Sequence, residues 1–356
     1  MRIVGKKEEV EANCRNLWQE CFHDSEEYIS WYFGAKWQGN EVFLLQDDTG
    51  EICSMLHCNP YHVKYEEKEL YLYYIVGVCT RVNQRKKGYM GKVLRECFRW
   101  LYEQEVPFTY LMPARAGIYE PYDFRRIYQA KKERIEKNIF LEKESRYYFV
   151  DYFTADRKQK KELERNSQRW LSSSYSIYVT RTQDYFQELA EQMEACHGKC
   201  LMVYEGEELK GYFAYGSEDE EIEVIEVVGD VEREKLYGSF GEYLKEDENN
   251  TDKGFRVLVT PFPEGVTEDA HSIMARIIHF PKCAGLLCSS RPQSWKVKIN
   301  DRFIAENNGK WLLNMDSKGC QVTAMQAEEA VDKEMDIQEF CDFFFRNQKV
   351  YINEIV

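Results

Sequence analysis

The stretch Val76–Leu94, VGVCTRVNQRKKGYMGKVL, constrains the fold of this chain more than any other. Tyr71 to Thr80 is a run of aromatic and β-branched residues and reads as a buried strand. A polar, basic turn follows. After Gly88 the apolar positions Met90, Val93, Leu94, Cys97, Phe98 and Leu101 fall at helical spacing. The order is therefore strand, basic turn, helix, with a glycine at the helix start. Such a turn aims free backbone N–H groups and the positive end of the helix dipole at one point, an anion site suited to phosphate. Glycine lets the ligand approach where a Cβ would obstruct it. Arg81, Arg85, Lys86, Lys87, Lys92 and Arg95 crowd into this stretch, although the chain carries a net charge of -14. A charge run is ordinarily a solvated helix face. Here glycine, strand and helix coincide with the charge, which favours phosphate.

The stretch has neither the GxxxxGK[ST] loop of nucleoside-triphosphate sites nor the GxGxxG of dinucleotide sites. It reads Arg85-x-x-Gly88-x-Met90, which resembles the acyl-CoA motif of the GNAT acetyltransferases. The longer run V-x-T-x5-R-x-x-G-x-M, followed by PFTYLMPARAGIYEPYDF, is similar to the Eis-like branch of that superfamily. In that branch a GNAT domain, a second, degenerate GNAT domain and a sterol-carrier-like domain share one chain. The resemblance spans essentially the whole sequence and is strongest over residues 13–126 and 271–356. It implies an α+β fold with two GNAT-like mixed-sheet domains, at 1–145 and 146–268, and a sterol-carrier-like α/β domain at 269–356.

Composition fits a multidomain protein. With 356 residues the chain is too long for one ordinary core, and 44% apolar content excludes wholesale disorder. The acidic balance argues against general nucleic-acid binding and suits a cationic substrate such as an amine. The N-terminal MRIVGKKEEVEAN has no apolar signal-like core, and no apolar run approaches the ~20 residues of a membrane helix. A cytoplasmic protein with no membrane partner is expected. Twelve cysteines are scattered with no CxxC pair, and Cys196-His197 with Cys200 matches no usual zinc pattern. Reduced core thiols and no metal are expected.

Along the chain, Val10, Cys14, Leu17, Trp18 and Cys21 share one helical face, and Asp24 with Glu27 resembles a capping box before a second helix. Glu41–Gln46 and Glu51–Cys58 read as strands around the turn Asp47–Gly50, with Pro60 as an interruption. Tyr61–Tyr65 and Leu70–Thr80 form a second hairpin, then come a helix at 88–105 and a strand at Phe108–Met112. Residues 131–146 read as a charged helix or linker. Strands at Ser176–Thr180, Leu201–Tyr204, Gly211–Tyr215 and Glu221–Val228, with a helix at Gln183–Cys196, repeat the first rhythm. The turn after the last of these, Gly229 to Glu234, is acidic, so a second GNAT fold there is expected to bind no CoA. Phe262–Gly265 reads as a boundary, Ser272–Ile278 as a strand opening the last unit, Asn307-Asn308-Gly309 as a hairpin turn and Ile337–Phe345 as a helix.

The resemblance also implies the chemistry: acetyl transfer from acetyl-CoA to a primary amine of a small molecule or peptide, by direct attack. The acceptor would be aminoglycoside-, polyamine- or lysine-like. It assigns Val78, Cys79 and Thr80, and Lys86, Lys87, Gly88, Tyr89, Met90 and Gly91, to acetyl-CoA, with Arg85 as the charge at the pyrophosphate turn and Ala114 and Arg115 as outlying contacts. Tyr119 corresponds to the family's proton donor, with Tyr122 a rival. A phenol of pKa near ~10 is protonated at neutral pH, as a donor must be. The family's proton acceptor is the chain's terminal carboxylate, here that of Val356. Glu354 would add negative charge near a cationic amine, and Tyr32 and Trp37 are candidates for lining its pocket, with core packing as their ordinary reading. His57 and His62 are weaker candidates for a base. A homo-oligomer, trimer or hexamer, is implied by the resemblance alone. The rival reading is a non-catalytic CoA-binding or interaction protein on the same scaffold.

Overall fold

The computed structural model describes residues 2–3, 10–135, 147–217, 221–245, 254–257, 261–262 and 267–354. It is a mixed α+β structure. The first part runs β1 (Arg2–Ile3), α1 (Glu11–Phe22), α2 (Glu26–Ala35), β2 (Glu41–Gln46), β3 (Ile52–Tyr65), β4 (Lys68–Thr80), α3 (Tyr89–Glu103) and β5 (Phe108–Leu111). Strands β1 to β4 are antiparallel in sequence order, and β5 joins β4 in parallel through the crossover helix α3. Helix α3 forms because its apolar residues fall on one face, and Val93, Leu94, Cys97, Phe98 and Leu101 are all buried. Helix α2 starts at Ser25, whose hydroxyl accepts from the Tyr28 N–H. Asp24, the expected cap, instead accepts the Trp18 indole N–H at 2.7 Å. Pro60 does not interrupt β3. On one side of β3 the pairing with β2 ends at Cys58, and a later strand takes over only at Val63, so the proline falls in the gap between partners.

The middle part begins with β6 (Arg125–Ile135) and β7 (Tyr148–Asp151). Residues 131–135 are thus strand rather than helix or linker, and 136–146 lie outside the described residues. There follow α4 (Arg157–Ser174), β8 (Ile177–Val179), α5 (Gln183–Ala195), β9 (Lys199–Glu205), β10 (Glu208–Gly216), β11 (Glu221–Gly229), α6 (Arg233–Lys245) and β12 (Gly254–Val257). The order antiparallel hairpin, helix, parallel strand recurs here, as β10–β11, α6 and β12. The last part holds β13 (Thr267–Ile277), α7 (Phe280–Ala284), β14 (Gln293–Asn300), β15 (Gly309–Asp316), β16 (Gly319–Ala324), β17 (Lys333–Asp336), α8 (Ile337–Phe345) and β18 (Val350–Tyr351). Most of the expected boundary at Phe262–Gly265 lies outside the described residues.

Among the described residues the strands form one fourteen-stranded sheet and a separate four-stranded sheet, β16-β15-β14-β17. Strand β13 sits in the large sheet, antiparallel to β5 on one side and to β6 on the other. The segment read as opening the last unit therefore closes the sheet of the first. The cores merge accordingly: Phe344 of α8 stacks on Tyr65 of β3 and packs against Phe108 of β5.

Two features position the site. The first is a β-bulge in β4. His57 pairs with Val76 and Met55 with Cys79, so Gly77 and Val78 together face Leu56. Gly77 has φ of 62°, and a Cβ there would lie 2.5 Å from a ring carbon of Trp18. No other residue type satisfies both demands. The second is the chain of pairings from β3 to β8 to β18, which draws the last residues of the chain against the long end of β3.

Candidate active site

The donor side is built by β4, α3 and the loop after β5. Strands β4 and β5 pair only at Tyr74–Tyr110 and Ile75–Leu111. Beyond the bulge β4 runs on to Thr80 still paired with β3, so Val76–Thr80 carries a backbone edge with no strand partner on the β5 side among the described residues. The chain then turns through Val82–Gln84, and Lys86 and Gly88 take φ of 64° and 75°. Gly88 caps α3 with no side-chain bond to the helix, and the first intrahelical bond runs from Lys92 N–H to the Gly88 carbonyl. The N–H groups of Tyr89, Met90 and Gly91 therefore have no helical partner. Nothing approaches within 4 Å of the place where a Gly88 Cβ would sit. The turn is thus an open nest of donors bordered by exposed Lys86, Lys87 and Lys92.

Individual charges divide into engaged and available. Arg81 bonds Glu20 at 2.6 Å and Glu51 at 3.3 Å, which ties it to α1 and β3 rather than to the nest. Arg85 is exposed, its Nε donating to the Thr80 carbonyl at 3.2 Å. Ala114 and Arg115 are exposed on the loop after β5. Gly91 is buried against Tyr122, whose hydroxyl would lie 2.6 Å from an added Cβ, so Tyr122 packs on the first turn of α3.

Tyr119 lies between two short 3-10 turns, Ala116–Ile118 and Glu120–Tyr122. It is 7% exposed, and its ring packs edge-on against Phe124. Burial pushes its phenol well above the usual range, and the neighbouring Cys79 thiol adds to this, so it stays protonated. Cys79 is also pushed up by burial and by the thiol of Cys21, which makes it a poor nucleophile. Cys21, in turn, is drawn down to about 7 by its hydrogen bond with Cys79, with burial opposing and Arg85 assisting.

A second candidate region lies where α2, β3, α5, β11 and the last described residues meet. A cavity of about 20 Å3 opens there, bordered by Lys36, Tyr61, Glu188, Glu226 and Glu354. Arg181, fully buried just after β8, bonds both Glu226 and Glu354, the latter at 3.2 Å, and also the Tyr212 hydroxyl at 3.1 Å. Tyr61, in the cavity wall, meets Tyr74 edge-on, and Tyr74 stacks on Tyr110 at 5.3 Å.

Tyr32 and Trp37 do not line this cavity. Both are fully buried, and Tyr32 bonds His57 Nδ1 at 3.0 Å and donates to Asn59 Oδ1 at 3.2 Å. The aromatic face of α2 is used to cover the sheet, and its lysine reaches the cavity instead. His57 is likewise in the core, and His62 is exposed beside Tyr71. Val356 lies outside the described residues; Glu354, two positions earlier, is 5% exposed in the cavity wall. Among the described residues no cluster of histidine, cysteine and acidic side chains is placed to hold a metal, and no helix is long and apolar enough to cross a membrane.

Residues 3–127, which contain the splayed strands, the nest and Tyr119, match the family described as the Acetyltransferase (GNAT) domain. Over these residues the chain is similar to GNAT domains. Solved structures share its fold over nearly the full length of the chain. A conserved protein of Enterococcus faecalis described as a probable N-acyltransferase is 16% identical, with a TM-score of 0.76 over 97% of this chain and 89% of that one. A GCN5-related N-acetyltransferase of Anabaena variabilis is 14% identical, with a TM-score of 0.71 over 95% and 88%. Eis1 of Mycobacterium abscessus is 11% identical, with a TM-score of 0.64 over 97% and 89%. No curated protein matches the sequence.

Residues 3–127 supply the splayed strands and the N–H nest. The cavity is different. Trp31, Lys36 and Tyr61 of its charged and aromatic border lie within residues 3–127; Tyr185, Glu188, Glu226 and Glu354 come from α5, β11 and the tail. Sequence reading singled out Glu354 but passed over Lys36, Arg181, Glu188 and Glu226. A charged residue in the strand-rich run EIEVIEVV was the one available signal, since Glu226 sits where the alternation breaks at a bulge.

Proposed function

We propose that this chain is an acetyl-CoA-dependent N-acetyltransferase that modifies a primary amine by direct attack. The observation that carries this is the parting of β4 from β5 beside an open helix N-terminus, with a protonated, buried phenol at the opening. The residues fit the donor: a pyrophosphate meets the N–H groups of Tyr89–Gly91, the cationic side chains of Lys86, Lys87 and Arg85, and free space at Gly88. Acetyl-CoA supplies a thioester-activated acetyl group. The edge Val78–Thr80 offers backbone groups to orient that arm and polarise the carbonyl. Tyr119 donates its proton to the sulfur as the carbon–sulfur bond breaks and the carbon–nitrogen bond forms. The proton lost by the amine goes to the terminal carboxylate of Val356, directly or through water. The division at residues 145 and 268, the sterol-carrier likeness of the last unit and the homo-oligomer stay within this proposal.

The test is release of free thiol from acetyl-CoA with a panel of amines. Tyr119→Phe is expected to lower kcat by ~10²- to 10⁴-fold while leaving acetyl-CoA affinity unchanged. CoA binding with no turnover on any amine would replace the enzyme by a CoA-binding interaction protein.

A further inference from the structure

Tyr119 opens a tight turn of chain. Its carbonyl accepts from the N–H of Tyr122 at 2.8 Å and from that of Phe124 at 3.4 Å, and Asp123 between them takes φ of 65°. A left-handed residue other than glycine persists where its surroundings hold it. The side chains that bond this turn come from the last unit. Arg302 donates to the Asp123 carboxylate at 2.5 Å and to the Pro121 carbonyl at 2.7 Å, and Gln338 donates to the same carboxylate. Arg276, on β13, donates to the Tyr122 carbonyl at 3.1 Å and lies 3.8 Å from the Asp123 carboxylate.

Arg276 is the centre of this clamp. It is fully buried, and its three nitrogens bond in three directions: Nε to the Tyr122 carbonyl, one terminal nitrogen to the Ile277 carbonyl at 2.6 Å, the other to Asp301 at 2.7 Å. Asp301 is itself fixed, accepting from the backbone N–H groups of Phe303 and Ile304 at 2.9 and 3.1 Å and from the Asn307 side chain at 2.9 Å. The guanidinium lies 4.6 Å from the centre of the Phe98 ring on α3 and 5.5 Å from that of Phe303. Phe98 packs against Phe124, which meets the Tyr119 ring edge-on. Phe303 packs against Tyr122, which lies on α3 at Gly91. A buried ion pair contributes little stability over apolar residues of the same volume. What a planar fork bonded in three directions delivers is geometry, since it fixes angles as well as distances.

We propose that Arg276 is a positioning residue for acetyl transfer: from β13 it fixes the turn Tyr119–Phe124 and so sets the direction in which the Tyr119 phenol points. This rests on the acetyltransferase reading and deepens its proton-donating step. The guanidinium acts through the Tyr122 carbonyl and the Phe98 and Phe124 rings, while Arg302 and Gln338 hold the same turn from the outside through Asp123.

The experiment compares Arg276→Lys with the unaltered full chain. Lysine keeps the charge beside Asp301 but cannot bond Asp301 and the Ile277 and Tyr122 carbonyls as one planar fork. In the thiol-release assay kcat is expected to fall about ten- to hundred-fold, as a ~1 Å misplacement of a reacting group does, with acetyl-CoA affinity by calorimetry changed less than about two-fold. In a Tyr119→Phe background the same substitution should change kcat less than about two-fold, because the turn then has no proton donor to aim. A 3-fluorotyrosine placed at position 119 reports the ring's surroundings without turnover, and Arg276→Lys should broaden its fluorine resonance or move it toward that of the free amino acid. Should Arg276→Lys fail to fold, Arg302→Met combined with Gln338→Ala loosens Asp123 from the outside and carries the same comparison. An equal loss of kcat with and without the Tyr119 hydroxyl, or an unchanged fluorine resonance, overturns the inference and leaves the acetyltransferase standing. CoA binding by the unaltered chain with no turnover of any amine removes the acetyltransferase itself, while the fluorine comparison still decides whether Arg276 sets the Tyr119 ring.

Discussion

Replacing Arg181 by Met tests how the acceptor side is held together. Arg181 has no exposed surface and joins Glu226 on β11 to Glu354 on the tail, while also bonding Tyr212 and the Val179 carbonyl. Methionine fills much of its volume but leaves two carboxylates buried with no guanidinium between them. Removing one partner of a buried ion pair costs about 3–5 kcal/mol, far more than the pair contributes relative to apolar residues. The cost depends on pH with a definite sign. In the folded protein the Glu354 carboxyl already stands above its ordinary value of 4.5, and Arg181 is the main group opposing that rise. Its loss pushes the folded-state pKa higher still. A carboxyl that holds its proton more tightly in the folded state loses stability as pH rises from the unfolded value through the folded one. The deficit of Arg181→Met should therefore be small near about pH 5 and full near about pH 8. Other charges facing Glu354 are Lys36 on α2, Glu188 on α5 and Glu226 on β11, with phenols from Tyr61, Tyr110 and Tyr185. Urea unfolding at the two pH values reads the effect. Adding Glu226→Gln and Glu354→Gln to Arg181→Met should recover most of it. A loss below about 1 kcal/mol at the higher pH, or a larger loss at the lower pH, would refute the reasoning.

Three further outcomes are expected. Gly77→Ala forces an L-residue into a left-handed conformation and drives its Cβ into the Trp18 ring, so stability should fall by roughly 2–4 kcal/mol in urea unfolding. Acetyl-CoA affinity should fall with it, because the bulge that parts β4 from β5 is lost. Cys79→Ala should keep at least half of the turnover in the thiol-release assay, since a raised, buried thiol takes no part in a direct attack. Cys21 should label with iodoacetamide with a half-maximal rate near pH 7, as its lowered pKa of about 7 demands, and Cys79→Ala should move that midpoint upward.

Strand, basic turn and helix were legible in the sequence because they are local, occupying Tyr71–Glu103, although the bulge at Gly77 was not read. The acceptor side was not. Arg181 meets Glu226 across 45 positions and Glu354 across 173, and no periodicity in one segment announces a partner in another. Some local signals were present and unread: Asp156 and Gln159 form a capping box at the start of α4, with side chain and backbone bonded reciprocally. Others pointed the wrong way. Pro60 breaks a strand in isolation, but it sits opposite Tyr73 of β4 on one side and, on the other, in the gap between the end of β2 at Cys58 and the start of β8 at Val63. Ser272–Ile278 reads as a strand, yet nothing in its residues says that it slots between β5 and β6.

The same contrast separates what each half of the site is able to vary. The donor groove works through backbone groups: the free edge of β4, the N–H nest before α3 and the space at Gly88. Affinity for the donor should therefore depend most on the glycines that set the backbone path, with Arg85, Lys86 and Lys87 adding charge at the pyrophosphate. The acceptor cavity works through side chains alone, supplied by α2, β3, α5, β11 and the tail. These segments are anchored elsewhere by core residues, for example Phe186 and Met193 on α5 and Val224 and Val227 on β11. On the function proposed above, a substitution at Lys36 or Glu188 therefore changes the charge presented to the amine while leaving in place the strands beside the thioester.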